Sequence, residues 1–238
     1  MGTRRQRPSA IARVNHERRV LRDSDPHRLR VRRGLPWCAI GLAALEQAIE
    51  RVGDEVAVEL HVQPFELNPR MAREGEAIDE HIGRKYGLSA AQMEENRARL
   101  HERAVAVGVD FASGARSRIY NTFDAHRLLH WAAQEGRQLP LKRALLRAYF
   151  TDGEDVGDPE VLARIAGEAG LPRERAAAIL ASDEHADAVR ADEQTFLRAG
   201  IGSVPAVIFE RQYLVSGGQP VEVFENALRE VAARKRAG

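Results

Sequence analysis

Leu35-Pro36-Trp37-Cys38 opens the first periodic segment of the chain. Behind it, Cys38, Leu42, Leu45, Ile49 and Val52 recur at helical spacing. Pro36 suits the first turn of a helix, where a missing N–H costs nothing. Gly53 stands where a left-handed residue closes a helix. The pattern predicts a helix from about Pro36 to Val52 with a thiol in its first turn. A helix N-terminus offers free N–H groups and a partial positive charge, both of which stabilise a thiolate. A lone cysteine can equally be a small buried hydrophobe, so the helix start alone does not assign a role to Cys38.

Downstream, Val56, Val58, Leu60 and Val62 alternate with polar neighbours and stop at Pro64, which predicts a strand. Residues 76–200 read as helical, with helices near 77–86, 89–107, 122–136, 139–150, 158–169, 172–182 and 184–199. Ser89, Asp158 and Ser182 are the expected N-caps, Gly170 and Gly200 the expected stops. Two short strands, Ala206–Phe209 and Gln212–Val215, flank a turn at Glu210-Arg211. A last helix runs from about Pro220 to Arg236, with Val223, Leu228 and Val231 on its apolar side. The order helix, strand, helical block, strand, strand, helix predicts an α/β domain with a helical insertion at about 76–200. A strand ahead of the first helix is what such a fold lacks here.

Hydrophobic residues make up 44 % of the 238, enough for a substantial core, and the net charge is +1. That charge is unevenly spread. Residues 1–34 hold 11 Arg and three acidic residues, a balance of +8, so the rest carries −7. An Arg-rich start reads as a nucleic-acid arm, a transit peptide or a solvated tail. No apolar run of signal-peptide length follows it, and no folded nucleic-acid-binding motif accompanies it. No stretch approaches the roughly 18 apolar residues of a membrane span. Cys38 is the only cysteine, so no intramolecular disulfide forms, and the expected compartment is the reducing cytoplasm.

Several segments together resemble the DsbA-like family of thioredoxin-fold oxidoreductases, in its FrnE-type branch. They are Pro36-Trp37-Cys38-Ala39-Ile40-Gly41, Pro64-Phe65-Glu66-Leu67-Asn68-Pro69, Asn121 to Leu128, Ala148-Tyr149-Phe150, Gly202-Ser203-Val204-Pro205 and Ser216-Gly217-Gly218-Gln219-Pro220. The resemblance spans about 200 residues. It implies a thioredoxin-like α/β fold with a large helical insertion and thiol–disulfide exchange with protein or peptide thiols. It places a cysteine pair at positions 35 and 38, the first attacking and the second resolving the mixed disulfide. Here Leu35 occupies the nucleophile position and Cys38 the resolving one. Pro36, Trp37, Val204 and Pro205 fall on the substrate-docking positions, Pro205 being the family's cis-proline and Val204 its peptide-pairing neighbour. The same superfamily holds kappa-class glutathione transferases and 2-hydroxychromene-2-carboxylate isomerases, so glutathione is the one small cofactor the resemblance suggests. Those enzymes carry Ser at the first motif position, which this chain does not. A non-catalytic peptide-binding module is the third reading. No metal is expected: His126 and His130 share a helix face, but no third ligand accompanies them.

The family enters its motif from a strand that typically reads Asp-Phe-Val-Ser-Asp-Val-Ala-Cys-Pro-Trp-Cys. The matching stretch here is Arg28-Leu29-Arg30-Val31-Arg32-Arg33-Gly34-Leu35-Pro36. Leu29 to Pro36 can be encoded CTT CGT GTC CGA CGT GGC CTG CCC. Read one base later, those codons give Phe-Val-Ser-Asp-Val-Ala-Cys-Pro. Residues 1–35 are therefore read as an aberrant, out-of-frame segment produced by a single-base deletion near the Leu35–Pro36 codons, and residues 36–238 as the domain. The first strand is expected to be missing or degraded, because four arginines between Arg28 and Arg33 suit no buried strand.

Overall fold

The computed structural model describes residues 35–111 and 117–237. The expectation of a missing or degraded first strand falls on residues outside these. The described chain is predominantly helical and divides into two compact units, residues 61–202 forming one and the segments flanking them the other.

The flanking unit contains α1 (Leu35–Val52), β3 (Ala206–Phe209), β4 (Tyr213–Ser216) and α9 (Val221–Ala237). α1 packs on α9. Its buried stripe is Ile40, Ala44, Ala48 and Val52, four residues apart and at most 1 % exposed. The sequence pattern had favoured Leu42 and Ile49, which are only half-buried. Alanines carry little hydrophobic weight in a sequence pattern, yet they let two helix axes approach closely. α9 likewise buries Val221, Phe224 and Leu228, while Val223 is 39 % exposed rather than in the core. Arg51 pairs with Glu222 at 2.9 Å and Arg229 with Glu55, so ion pairs border the helix–helix seam. β3 and β4 form an antiparallel hairpin with Val207 opposite Val215. Glu210 and Arg211 both take positive φ, as a tight hairpin turn of right-handed twist requires.

Residues 56–62 correct the sequence reading. Their burial alternates residue by residue, Val56, Val58, Leu60 and Val62 being the half-buried ones, but the segment joins no β-ladder among the described residues. A period of two sets which side chains face inward; a strand also needs a neighbour to take its N–H and C=O groups. At Val62 a side chain supplies that service: its N–H donates to Gln138 Oε1 at 2.9 Å, and its carbonyl accepts from Gln138 Nε2 at 2.9 Å.

The second unit holds β1 (Glu76–Ala77), α2 (Ile78–Tyr86), α3 (Ala90–Val105), β2 (Arg118–Ile119), α4 (Phe123–Gln134), α5 (Gln138–Phe150), α6 (Pro159–Glu168), α7 (Arg173–Leu180) and α8 (Ala186–Arg198). The seven helices lie close to the expected ranges. Ser89 caps α3 in a reciprocal box with Gln92, and the Asp158 side chain accepts from the N–H groups of Glu160 and Val161. Ser182 is not a cap. Its hydroxyl donates to the Ile179 carbonyl and accepts from Glu184 N–H, and α8 starts later, behind His185 in a left-handed conformation. β1 and β2 pair as a two-residue ribbon too short to leave an alternating pattern. Leu128, Leu141, Leu162, Ile165, Ile179 and Val189 are fully buried and form this unit's core.

Candidate functional site

The first turn of α1 carries the motif. Leu35 is the first helical residue, and Pro36, Trp37 and Cys38 follow, each half-buried. Two glycines let other backbone approach this turn. A Cβ on Gly41 would lie 3.1 Å from Pro205 Cγ and 3.5 Å from Gly218 Cα. A Cβ on Gly218 would lie 3.1 Å from Trp37 Cε3 and 3.1 Å from the Trp37 carbonyl oxygen. The 3.1 Å separations are tighter than ordinary contacts, so a side chain at either glycine would require its neighbour to shift.

The Val204–Pro205 peptide bond is cis. The Pro205 carbonyl accepts a hydrogen bond from Gly217 N–H at 2.7 Å, which ties the proline loop to the Gly217-Gly218 turn. Val204 is half-buried, and its own backbone N–H and C=O make no hydrogen bond among the described residues. One corner of this unit thus brings together the Pro36-Trp37-Cys38 turn, Val204-Pro205 and the Gly-Gly turn, from segments more than 160 residues apart in sequence.

Residues 36–229 match the DSBA-like thioredoxin domain. The chain belongs to this family. The crystal structure of a Streptomyces coelicolor protein described as a probable DsbA oxidoreductase is 37 % identical, with a TM-score of 0.78, covering 83 % of this chain and 85 % of the other. YwbO of Bacillus subtilis, an uncharacterised protein, is 25 % identical over 201 residues, 84 % of this chain and 94 % of YwbO. A 2-hydroxychromene-2-carboxylate isomerase shares the fold at a TM-score of 0.63 and 13 % identity, covering 85 % of this chain and 93 % of that one. The fold is therefore the thioredoxin-like fold of DsbA proteins, elaborated by the helical unit at 61–202.

In that helical unit the polar side chains in and just before the first turns of α4 serve packing more than chemistry. Asn121 Oδ1 accepts from Phe123 N–H at 2.8 Å and Nδ2 donates to the Met71 carbonyl at 2.9 Å. Arg127, 4 % exposed, bonds Asp124 at 2.8 Å and donates to the carbonyls of Glu184, Ile179 and Ser182, pinning the α7–α8 connection. His126 and His130 do not converge. The His130 ring lies 5.2 Å from that of His185, with Asp192 at 3.6 Å, whereas His126 is engaged with the Phe65 backbone. Among the described residues no group of three or more His, Cys, Asp or Glu could hold a metal ion.

His126 is pushed down to about 3 by burial, with Lys142 adding to the depression, the Phe65 hydrogen bond opposing it and Arg190 adding a little more. It is a neutral imidazole at physiological pH. Sequence reasoning also missed a buried acid pair. Glu66, with a 2 % exposed side chain, bonds Arg190, and its N–H donates to Glu193 Oε1 at 3.0 Å. Arg190 also holds Glu193 Oε2 at 2.9 Å and lies 3.7 Å from the Phe123 ring centroid. Burial raises the Glu66 carboxyl above its ordinary value, and the Arg190 bond pulls it back. The signal in the sequence was a charged residue inside the Pro64–Pro69 segment, but its partners lie more than 120 residues away.

Proposed function

We propose that the chain is a DsbA-class thiol–disulfide oxidoreductase of the FrnE type, arrested because Leu35 stands at the nucleophile position. The carrying observation is Pro205 seated against Gly41, beside the turn that bears Cys38. In the complete motif, a thiolate at position 35 attacks a substrate disulfide. One S–S bond breaks, a mixed disulfide forms, and one substrate thiolate leaves. The Cys38 thiolate then displaces the second substrate thiol and closes the 35–38 disulfide, so two electrons pass to the substrate. Leucine cannot begin this exchange. Cys38 alone can form a mixed disulfide but has no internal thiol to resolve it.

The upstream segment belongs to the same proposal: a single-base deletion has put residues 1–35 out of frame, and position 35 is cysteine in the parent frame. The family match supports this, since it begins at Pro36, one residue beyond the expected break. The codons for Leu29 to Leu35 test it directly, and a nucleotide sequence that fails to give Phe-Val-Ser-Asp-Val-Ala-Cys in the shifted frame rejects it. The activity test is insulin reduction by the chain and by Leu35→Cys. Turnover confined to the variant supports the proposal, and silence in both overturns it.

A peptide-binding role without catalysis is favoured by one observation, the open backbone of Val204 beside Pro205. Backbone groups of this kind pair with an extended peptide by strand addition. Peptide binding that survives Cys38→Ala would favour this reading. Heat stabilisation by glutathione would instead favour a glutathione-dependent transferase or isomerase. No helix among the described residues is long and apolar enough to cross a membrane. The single cysteine supports a reducing, cytoplasmic setting.

A further inference from the structure

Gly41 and Gly218 stand where the backbone itself does not ask for glycine. Gly41 lies inside α1, and Gly218 has no positive φ, in contrast to Gly217 beside it. Inside a helix alanine is intrinsically preferred, because glycine has more freedom to lose on folding. The reason for glycine at both places is therefore what lies against it. A Cβ on Gly41 would meet Pro205 Cγ at 3.1 Å and Pro205 Cβ at 3.4 Å. One on Gly218 would meet the Trp37 ring and the Trp37 carbonyl oxygen, each at 3.1 Å.

Trp37 and Gly41 are four residues apart, so they share one face of α1. Pro205 covers the Gly41 end of that face and Gly218 the Trp37 end. The two covering segments are themselves joined. Gly217 N–H donates to the Pro205 carbonyl at 2.7 Å, and Gly218 Cα would lie 3.5 Å from a Cβ on Gly41. The contacts thus close a circuit that runs from Trp37 along the helix to Gly41, across to Pro205, and back through Gly217-Gly218. In close-packed surroundings no member of such a circuit moves alone. Displacing Pro205 from Gly41 carries the Gly217-Gly218 turn with it, and displacing that turn from Trp37 carries Pro205. The Val204 carbonyl lies in the planar peptide unit that joins it to Pro205, so whatever seats Pro205 also aims this open backbone.

We propose that Gly41 and Gly218 are positioning residues for peptide docking: by admitting Pro205 and Trp37 to contact distance, they set where the open backbone of Val204 stands relative to the thiol-bearing turn. The inference rests on the thiol–disulfide reading above and adds to it two residues that act only through Pro205 and Trp37. A peptide pairing with Val204 depends on that placement, because hydrogen bonds weaken steeply as distance and angle drift. A small disulfide with no peptide backbone does not depend on it.

The test uses Leu35→Cys as the parent, with Gly41→Ala and Gly218→Ala each made in it. Proteins are reduced with dithiothreitol, freed of it, and followed in single-turnover reduction of two substrates. One is a pair of short peptides joined by a disulfide, a fluorophore on one and a quencher on the other. The second is 5,5′-dithiobis(2-nitrobenzoate), an aromatic disulfide without peptide groups. Each alanine should raise the half-saturating peptide concentration by roughly threefold or more, leaving the maximal rate and the aromatic disulfide's rate at the parent's values. The aromatic disulfide also reports, in the same samples, that the motif turn is intact. Unchanged half-saturation in both variants overturns this proposal alone. A loss shared equally by the two substrates makes the glycines general supports of the fold and overturns it as well. An inert Leu35→Cys parent overturns the thiol–disulfide reading, and this proposal with it.

Discussion

Acidification should expose the neutral state of His126 as a quantifiable loss of stability. In the folded chain its imidazole is pushed down to about 3, and in the unfolded chain it returns to the ordinary 6.5. A depressed value means that the unfolded state binds the proton first. The contribution is therefore complete above pH 6.5 and is lost progressively as pH falls toward 3. Between pH 7 and pH 5 a single such group removes about 2 kcal/mol, since the unfolded state gains nearly the full protonation free energy and the folded state almost none. For a chain of this size that corresponds to a fall in melting temperature of roughly 4–8 °C. The assay is urea unfolding followed by circular dichroism at both pH values, on the chain and on His126→Gln. Glutamine keeps a donor for the Phe65 backbone but cannot titrate. His185 is also lowered by burial and acts in the same direction, yet it is common to both proteins. The difference between the two pH dependences thus isolates His126. Equal losses in the two proteins would refute the reasoning.

Leu35→Cys should convert a chain inert in insulin reduction into an active one, with Leu35→Ser remaining inert in the same assay. Gly41→Val should lower stability by about 2 kcal/mol, because a Cβ already meets Pro205 at 3.1 Å and the added methyl groups must displace that ring; thermal melting checks it. Asp158→Ala should cost about 1 kcal/mol by leaving the N–H groups of Glu160 and Val161 uncapped, and Asp158→Asn should restore most of it, read by urea unfolding. Arg127→Met should cost about 3 kcal/mol, since the hydrogen bonds of this buried guanidinium to the Glu184, Ile179 and Ser182 carbonyls and to Asp124 are lost together, and hydrogen exchange should rise first at the α7–α8 connection.

Sequence alone determined the family and nearly all the helices. Periodicity and capping chemistry act within a few residues, so Ser89, Asp158, Gly170 and Gly200 could be read directly as boundaries. The two segments of the candidate site were legible for the same reason: Pro36-Trp37-Cys38 and Val204-Pro205 are each contiguous. What only the tertiary structure decided depends on groups far apart in the chain. Val56–Val62 carries a strand's alternation, but its state turns on a hydrogen-bonding neighbour, and the described residues offer it the Gln138 side chain at one end. Gly41 and Gly218 look like any helix or turn glycine until Pro205 and Trp37 are seen lying where their side chains would be. His126 and Glu66 appear in sequence as ordinary polar residues. Their protonation is set by burial, and by Arg190 more than 60 residues beyond either, and folding alone brings those groups together.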